Sequence, residues 1–151
     1  MTSSYQRSLI EIESNFGPDN YKPLPVVLSK AEGVWVWDTD NKKYLDMMTA
    51  YSAVSHGHSH PELLKVLHEQ SARLALTSRA FYTDTLGPYL ETITSVSNFD
   101  MALPMNSGAE AVETAIKASR RWAYRSQKIE PNKAEIIVAD GNFHGRTTPI
   151  I

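Results

Sequence analysis

The 151-residue chain contains no cysteine, which excludes disulfides, thiolate metal sites and cysteine nucleophiles together. It has no apolar run of membrane-spanning length. A net charge of -2 gives no electrostatic reason to expect nucleic acid or an acidic membrane as partner. The opening stretch, MTSSYQRSLIEIESN, lacks the apolar centre of a secretory signal, and Glu11 and Glu13 argue against an acid-poor transit peptide. There is no internal repeat, no low-complexity segment, and no Gly-Lys-Ser/Thr that would mark a P-loop. A cytoplasmic enzyme or binding module is the default expectation.

What is present is ordinary for a globular protein: 42% hydrophobic and 21% charged residues, in a length that suits one compact domain. The last residues, GRTTPII, stop on an apolar run without a polar tail, as expected of the front part of something longer.

Residues 1–20 read as a loose or helical lead-in ending at the turn signal Gly17-Pro18-Asp19-Asn20, and Tyr21 to Pro25 must be extended because Pro23 and Pro25 restrict their neighbours. Residues 26–48 predict a β meander: VVLSK, a turn at 31–33, VWVW, a turn at 38–41, then KYLDMM. Trp35 and Trp37 are assigned to the two faces of its middle strand. From His56 the pattern turns helical. Ser59, Pro61 and Glu62 predict a cap and first turn, with Leu63, Leu67, Gln70 and Leu74 following at helical spacing. Asp84 is the expected cap of a further helix carrying Leu86, Leu90 and Ile93. A strand at 101–105, a helix over 108–126 and a buried strand at 135–139 then predict a β-α-β unit. The class is α/β: an N-terminal segment with a small β meander over 1–55, then the start of a parallel-sheet large domain over 56–151.

Two places invite chemistry. In MNSGAEAVETAIK (105–117), Ser107 precedes Glu110 by the spacing of a capping box, and Gly108 and Ala109 are small enough for a ligand to approach the backbone. The N–H groups and positive dipole of such a helix start suit a phosphate. A well-capped crossover helix, with Glu113 and Lys117 paired four residues apart, explains the same pattern without a ligand. Gly141-Asn142-Phe143-His144-Gly145-Arg146 follows the second strand, where ligands of open α/β sheets collect. Phe143 can stack on a flat ring and Arg146 can fork onto a carboxylate or phosphate; a glycine-flanked turn with a solvated arginine is the alternative. His56, His58 and His60 alternate in the manner of metal ligands on a strand, but Gly57 and Pro61 make the segment a loop leading into a helix, and no metal is expected. Tyr21 and Tyr51 by themselves read as half-buried packing residues.

Taken in order, NYKPLPVVL, GVWVWDTDNKKYLD, SAVSHGHSHP, LTSRAFYTD, LPMNSGAEAVETAIK and GNFHGRT resemble successive blocks of the class III pyridoxal-phosphate aminotransferases, almost continuously from Asn20 onward. The resemblance implies a pyridoxal-phosphate-dependent transferase of fold type I, a homodimer, acting on small amino-acid and 2-oxo-acid substrates. Within the family, NYKPLP and LTSRAFY look like the branch that transfers the δ-amino group of ornithine to 2-oxoglutarate; acetylornithine or another ω-amine is the alternative. The resemblance further implies that Ser107, Gly108 and Ala109 hold the pyridoxal 5'-phosphate tail, with Glu110 as a structural cap, and that Phe143 stacks on its ring. Arg146 would pair with a substrate carboxylate, and Tyr21 and Tyr51 would line the ornithine pocket. None of the chain's eight lysines sits in a block matching the family's cofactor-bearing lysine. That lysine is expected beyond Ile151, so the 151 residues alone should be inactive and should leave apolar surface uncovered. A stand-alone phosphate-binding module without catalysis is the reading from a different class.

Overall fold

The computed structural model describes residues 3–148, in two compact units that divide between Ala80 and Phe81. In the first, the lead-in is a capped helix, α1 (Ser4–Phe16). The Ser3 hydroxyl accepts the Gln6 N–H at 3.1 Å, and the Gly17 N–H closes the other end on the Glu13 carbonyl at 2.7 Å.

The predicted meander forms as β1 (Leu28–Glu32), β2 (Trp35–Asp38) and β3 (Lys43–Leu45), an antiparallel sheet in the order β1-β2-β3. β1 runs on through Ala31 and Glu32, so the first turn tightens to Gly33 and Val34, with Gly33 at φ 56°. The second turn is built around Asp38, which is almost fully buried. Its Oδ1 accepts the N–H groups of Asp40 and Lys42, both at 2.9 Å, and its Oδ2 accepts the Tyr44 hydroxyl at 2.7 Å. The buried Gln6 side chain donates to Asp40 Oδ2 at 2.9 Å, tying α1 to this turn. Trp35 and Trp37 do not take opposite faces as assigned from sequence. Alternation has a period of two, so they share one face. There the Lys43 ammonium lies over both rings, at 4.0 and 5.4 Å from their centroids. Val36 faces the other way and is the one buried apolar side chain among the described residues.

After β3 comes α2 (Thr49–Ser52), a single turn of left-handed backbone, and then α3 (Pro61–Leu74), whose proline sits in the first turn as predicted. Ser59 does not cap α3. It adopts a positive φ and its hydroxyl donates to the Ala31 carbonyl at 3.1 Å, leaving His60 at the cap position without a side-chain bond.

The second unit holds α4 (Leu86–Ser97) and α5 (Gly108–Arg125). The first N–H of α4 is taken by the Thr83 hydroxyl at 3.2 Å. Its far end closes at Asn98, in the left-handed conformation that asparagine tolerates. The parallel strands expected at 101–105 and 135–139 do not form; both segments are irregular, and the meander is the only sheet among the described residues. A strand exists only when its N–H and C=O groups meet a neighbouring chain, and these segments have none. Their apolar side chains accordingly stand in solvent, Ile137 at 98% exposure and Met101 at 88%. Among the described residues no helix is long and apolar enough to cross a membrane.

Candidate active site

The start of α5 has the predicted form. Ser107 is extended, its hydroxyl accepts the Glu110 N–H at 3.2 Å, and its own proton points toward Glu110 Oε2 at 3.4 Å. Glu110 therefore returns to the serine side chain, whereas a full capping box would place it on the serine N–H. Among the described residues no acceptor meets the N–H groups of Gly108 and Ala109. A Cβ placed on Gly108 would find nothing within 4 Å, so the approach to those donors is open. Two unpaired N–H groups at the positive end of an 18-residue helix are a fitting donor set for a phosphate.

Phe143 and Arg146 lie on the exposed loop after Gly141, which turns at φ 72°. The Phe143 ring is 80% exposed, with a face free to stack. Arg146 has no carboxylate or hydrogen-bond partner among the described residues, so its guanidinium fork is available. His144 Nδ1 lies 2.9 Å from the Asn142 carbonyl; since a carbonyl only accepts, Nδ1 carries the proton. The loop approaches α5 through Thr147. Its hydroxyl is buried without a well-aligned acceptor, yet it stands close enough to Glu113 to hold that carboxyl below its usual range, together with Lys117 at 3.3 Å. No hydrogen bond or ion pair among the described residues joins Phe143 or Arg146 to 107–109.

In the first unit Tyr21 and Tyr51 come together across 30 residues of chain, hydroxyl to hydroxyl at 2.8 Å. Their rings remain largely exposed, so the polar tips face open space while bonded to each other. The bond to Tyr21 raises the Tyr51 hydroxyl above the usual tyrosine value, keeping it protonated.

Sequence reasoning missed Asp46 and His58. Asp46 Oδ1 accepts the N–H groups of Met48 and Thr49, each at 2.9 Å, and Oδ2 meets His58 Nε2 at 2.7 Å. The His58 bond, then the two N–H bonds, hold the Asp46 carboxyl below its ordinary value. The available signal was the His56/His58/His60 alternation, but in sequence nothing brings Asp46, at the end of β3, beside His58. Gly57, at φ 86°, packs its Cα side onto Gly33 and allows His58 to pair with that residue through both backbone groups.

Residues 16–151 match the family model described as aminotransferase class-III. The ornithine aminotransferase of Bacillus cereus (strain Q1) is 55% identical over 141 residues, covering 93% of this chain and 36% of that protein. Among solved structures, an acetylornithine aminotransferase from Elizabethkingia anophelis is 56% identical with a TM-score of 0.88, over 97% of this chain and 36% of the other. The ornithine aminotransferase of Toxoplasma gondii, whose structure has PLP in partial occupancy at the active site, is 39% identical with a TM-score of 0.91, over 94% of this chain and 33% of the other. The chain thus spans about a third of the length of these proteins, while nearly all of it is matched. With residues 16–151 matching the family's model, the chain belongs to the class-III aminotransferase family.

Proposed function

We propose that these residues form the N-terminal part of a pyridoxal-phosphate-dependent ornithine δ-aminotransferase. It would move the terminal amino group of ornithine to 2-oxoglutarate, giving glutamate semialdehyde and glutamate. The observation that carries this reading is the Tyr21–Tyr51 hydroxyl pair at 2.8 Å, in a chain 55% identical to an ornithine aminotransferase. Pyridoxal phosphate, when bound, supplies the aldehyde and the electron-accepting ring that amino transfer requires.

The chain's own residues bind and orient. Gly108 and Ala109 offer N–H groups, with the α5 dipole behind them, to the phosphate, and Ser107 keeps that helix start rigid. Phe143 presents a ring face to fix the plane of the bound ring. Arg146 forks onto a substrate carboxylate. One tyrosine hydroxyl donates to the other, which leaves one proton and several lone pairs to meet the amino end of a diamino acid. On this reading residues 56–151 begin a fold type I large domain of a homodimer. The remaining strands of its parallel sheet, and its cofactor-bearing lysine, would lie in the portion of such proteins that this chain does not span.

A second reading, transfer from acetylornithine, is favoured by the 56% identity to the Elizabethkingia anophelis protein. Turnover of the two amines by the full-length protein separates them. Ornithine should bleach the visible band of the cofactor-loaded protein and outpace acetylornithine. Tyr21→Phe should cut kcat/KM for ornithine roughly two- to tenfold, the scale of one hydrogen bond, with little change in KM for 2-oxoglutarate. A protein that takes up the cofactor and shows no spectral response to ornithine refutes the proposal.

A further inference from the structure

Tyr51 stands on backbone that should not hold by itself. Thr49, Ala50, Tyr51 and Ser52 have φ of 49°, 48°, 56° and 74°, and none of them is glycine. Consecutive left-handed residues persist only where the surroundings over-determine them. The bonds inside the turn, such as the Tyr51 N–H on the Met48 carbonyl at 3.0 Å, do not attach it to anything outside.

Asp46 makes that attachment. Its N–H donates to the Val34 carbonyl at 2.9 Å, so its backbone belongs to the β1–β2 turn. Its Oδ1 grips the start of the left-handed turn through Met48 and Thr49. Its Oδ2 is held by His58 Nε2, and His58 is fixed to Gly33 by N–H···O bonds of 2.8 and 2.9 Å in the two directions. The Asp46 and His58 side chains are 15% and 22% exposed, well shielded in a unit where most side chains face solvent. With both carboxylate oxygens occupied, rotation of the Asp46 side chain would break bonds on both sides at once.

We propose that the Asp46–His58 pair is a positioning device for the substrate pocket. It fixes the left-handed turn 49–52 and so sets the Tyr51 hydroxyl against Tyr21. The inference rests on the reading of Tyr21 and Tyr51 as ornithine contacts. His58 and Asp46 touch neither substrate nor cofactor; they act through the backbone that carries Tyr51.

The test uses the full-length protein with Asp46→Ala, His58→Ala, Asp46→Asn and His58→Gln. The alanine variants should raise KM for ornithine roughly three- to tenfold, as for loss of one hydrogen bond, with KM for 2-oxoglutarate moving less than about twofold. His58→Gln, which can still donate to Asp46, should recover most of the loss. An independent readout is the Tyr51 ring in protein labelled with 13C at tyrosine Cζ, assigned through Tyr51→Phe. Its ionisation, held high by Tyr21, should fall toward the ordinary tyrosine value when the pair is broken. Folded variants with unmoved ornithine KM and unmoved Tyr51 ionisation overturn the proposal, as does an equal change in all kinetic constants. Should the alanine variants fail to fold, Asp46→Asn decides by the same two criteria. Tyr21→Phe in the unmodified background separates the two levels. If it leaves ornithine preference intact, the substrate reading fails; if it alters that preference while the Asp46 and His58 variants do not, only the positioning role fails.

Discussion

Ser107 does two things at the start of α5 that substitution can pull apart. Its hydroxyl caps the helix by accepting the Glu110 N–H at 3.2 Å, and it borders the unpaired N–H groups of Gly108 and Ala109. Ser107→Ala removes the cap and should cost about 1 kcal/mol of helix stability. Ser107→Asp keeps an oxygen in capping position and adds a negative charge favourable to the helix dipole, so the apo protein should lose only a few tenths of a kcal/mol, if any. A bound phosphate changes the balance. Two unit charges about 5 Å apart repel by roughly 0.8 kcal/mol in water and by about 3 kcal/mol at an effective permittivity of about 20. Since one factor of ten is about 1.4 kcal/mol and the phosphate carries more than one charge, Ser107→Asp should weaken cofactor binding about tenfold or more. The assays are the urea midpoint of the apo protein and a pyridoxal-phosphate titration followed by absorbance. The aspartate variant should keep the midpoint and lose the affinity; the alanine variant should lose midpoint and suffer less in affinity. An aspartate variant that binds the cofactor as tightly as the unmodified protein would refute a phosphate at this helix start.

Gly57→Ala should lower the urea midpoint, because alanine pays about 1–2 kcal/mol for left-handed backbone and its Cβ would press on Gly33 Cα at 3.2 Å; an unchanged midpoint would show that the Gly33–His58 pairing yields freely. The Asp38–Tyr44 bond gives stability with two pH limits. Burial pushes the Asp38 carboxyl up, but the bonds from Tyr44, Lys42 and Asp40 outweigh it and leave it below its ordinary 3.8. A depressed acid contributes above the unfolded value and loses that contribution as pH falls through the lower folded one. Tyr44 is raised above its ordinary 10.0, first by the bond to Asp38, so its contribution holds below 10.0 and is lost as pH rises through the higher folded value. Tyr44→Phe should therefore flatten both limbs of a plot of urea midpoint against pH, and a curve parallel to that of the unmodified protein would count against the bond.

Local chemistry made much of this legible in the sequence. α5 and its serine cap follow from SGAE and the amphipathic run behind it, and the meander follows from β-branched and aromatic residues between turn signals. These are decisions a few neighbouring residues make for themselves. The segments 101–105 and 135–139 have strand-like composition, but a strand needs a partner, and composition cannot supply one. Trp35 and Trp37 share a face by parity alone, since residues two apart in a strand point to the same side. Ser59 does not cap α3 because its hydroxyl has a carbonyl on another element, Ala31, within reach. The Asp46–His58 pair, and the direct bond between two tyrosines that the resemblance only places in one pocket, are not legible for a related reason. Each joins side chains whose meeting depends on how β1, β2 and β3 fold back, and the left-handed run 49–52 carries no glycine to announce it.

The meander and its attachments have a consequence for timing. Asp46 and His58 are 12 residues apart and the two tyrosines 30 apart, while the sheet pairs only strands adjacent in sequence. Contacts so short in sequence close quickly, since little chain entropy is lost in making each loop, whereas parallel strands must wait for distant partners. The tyrosine pair can thus be assembled by chain neighbours early in folding, before any remote strand has been found.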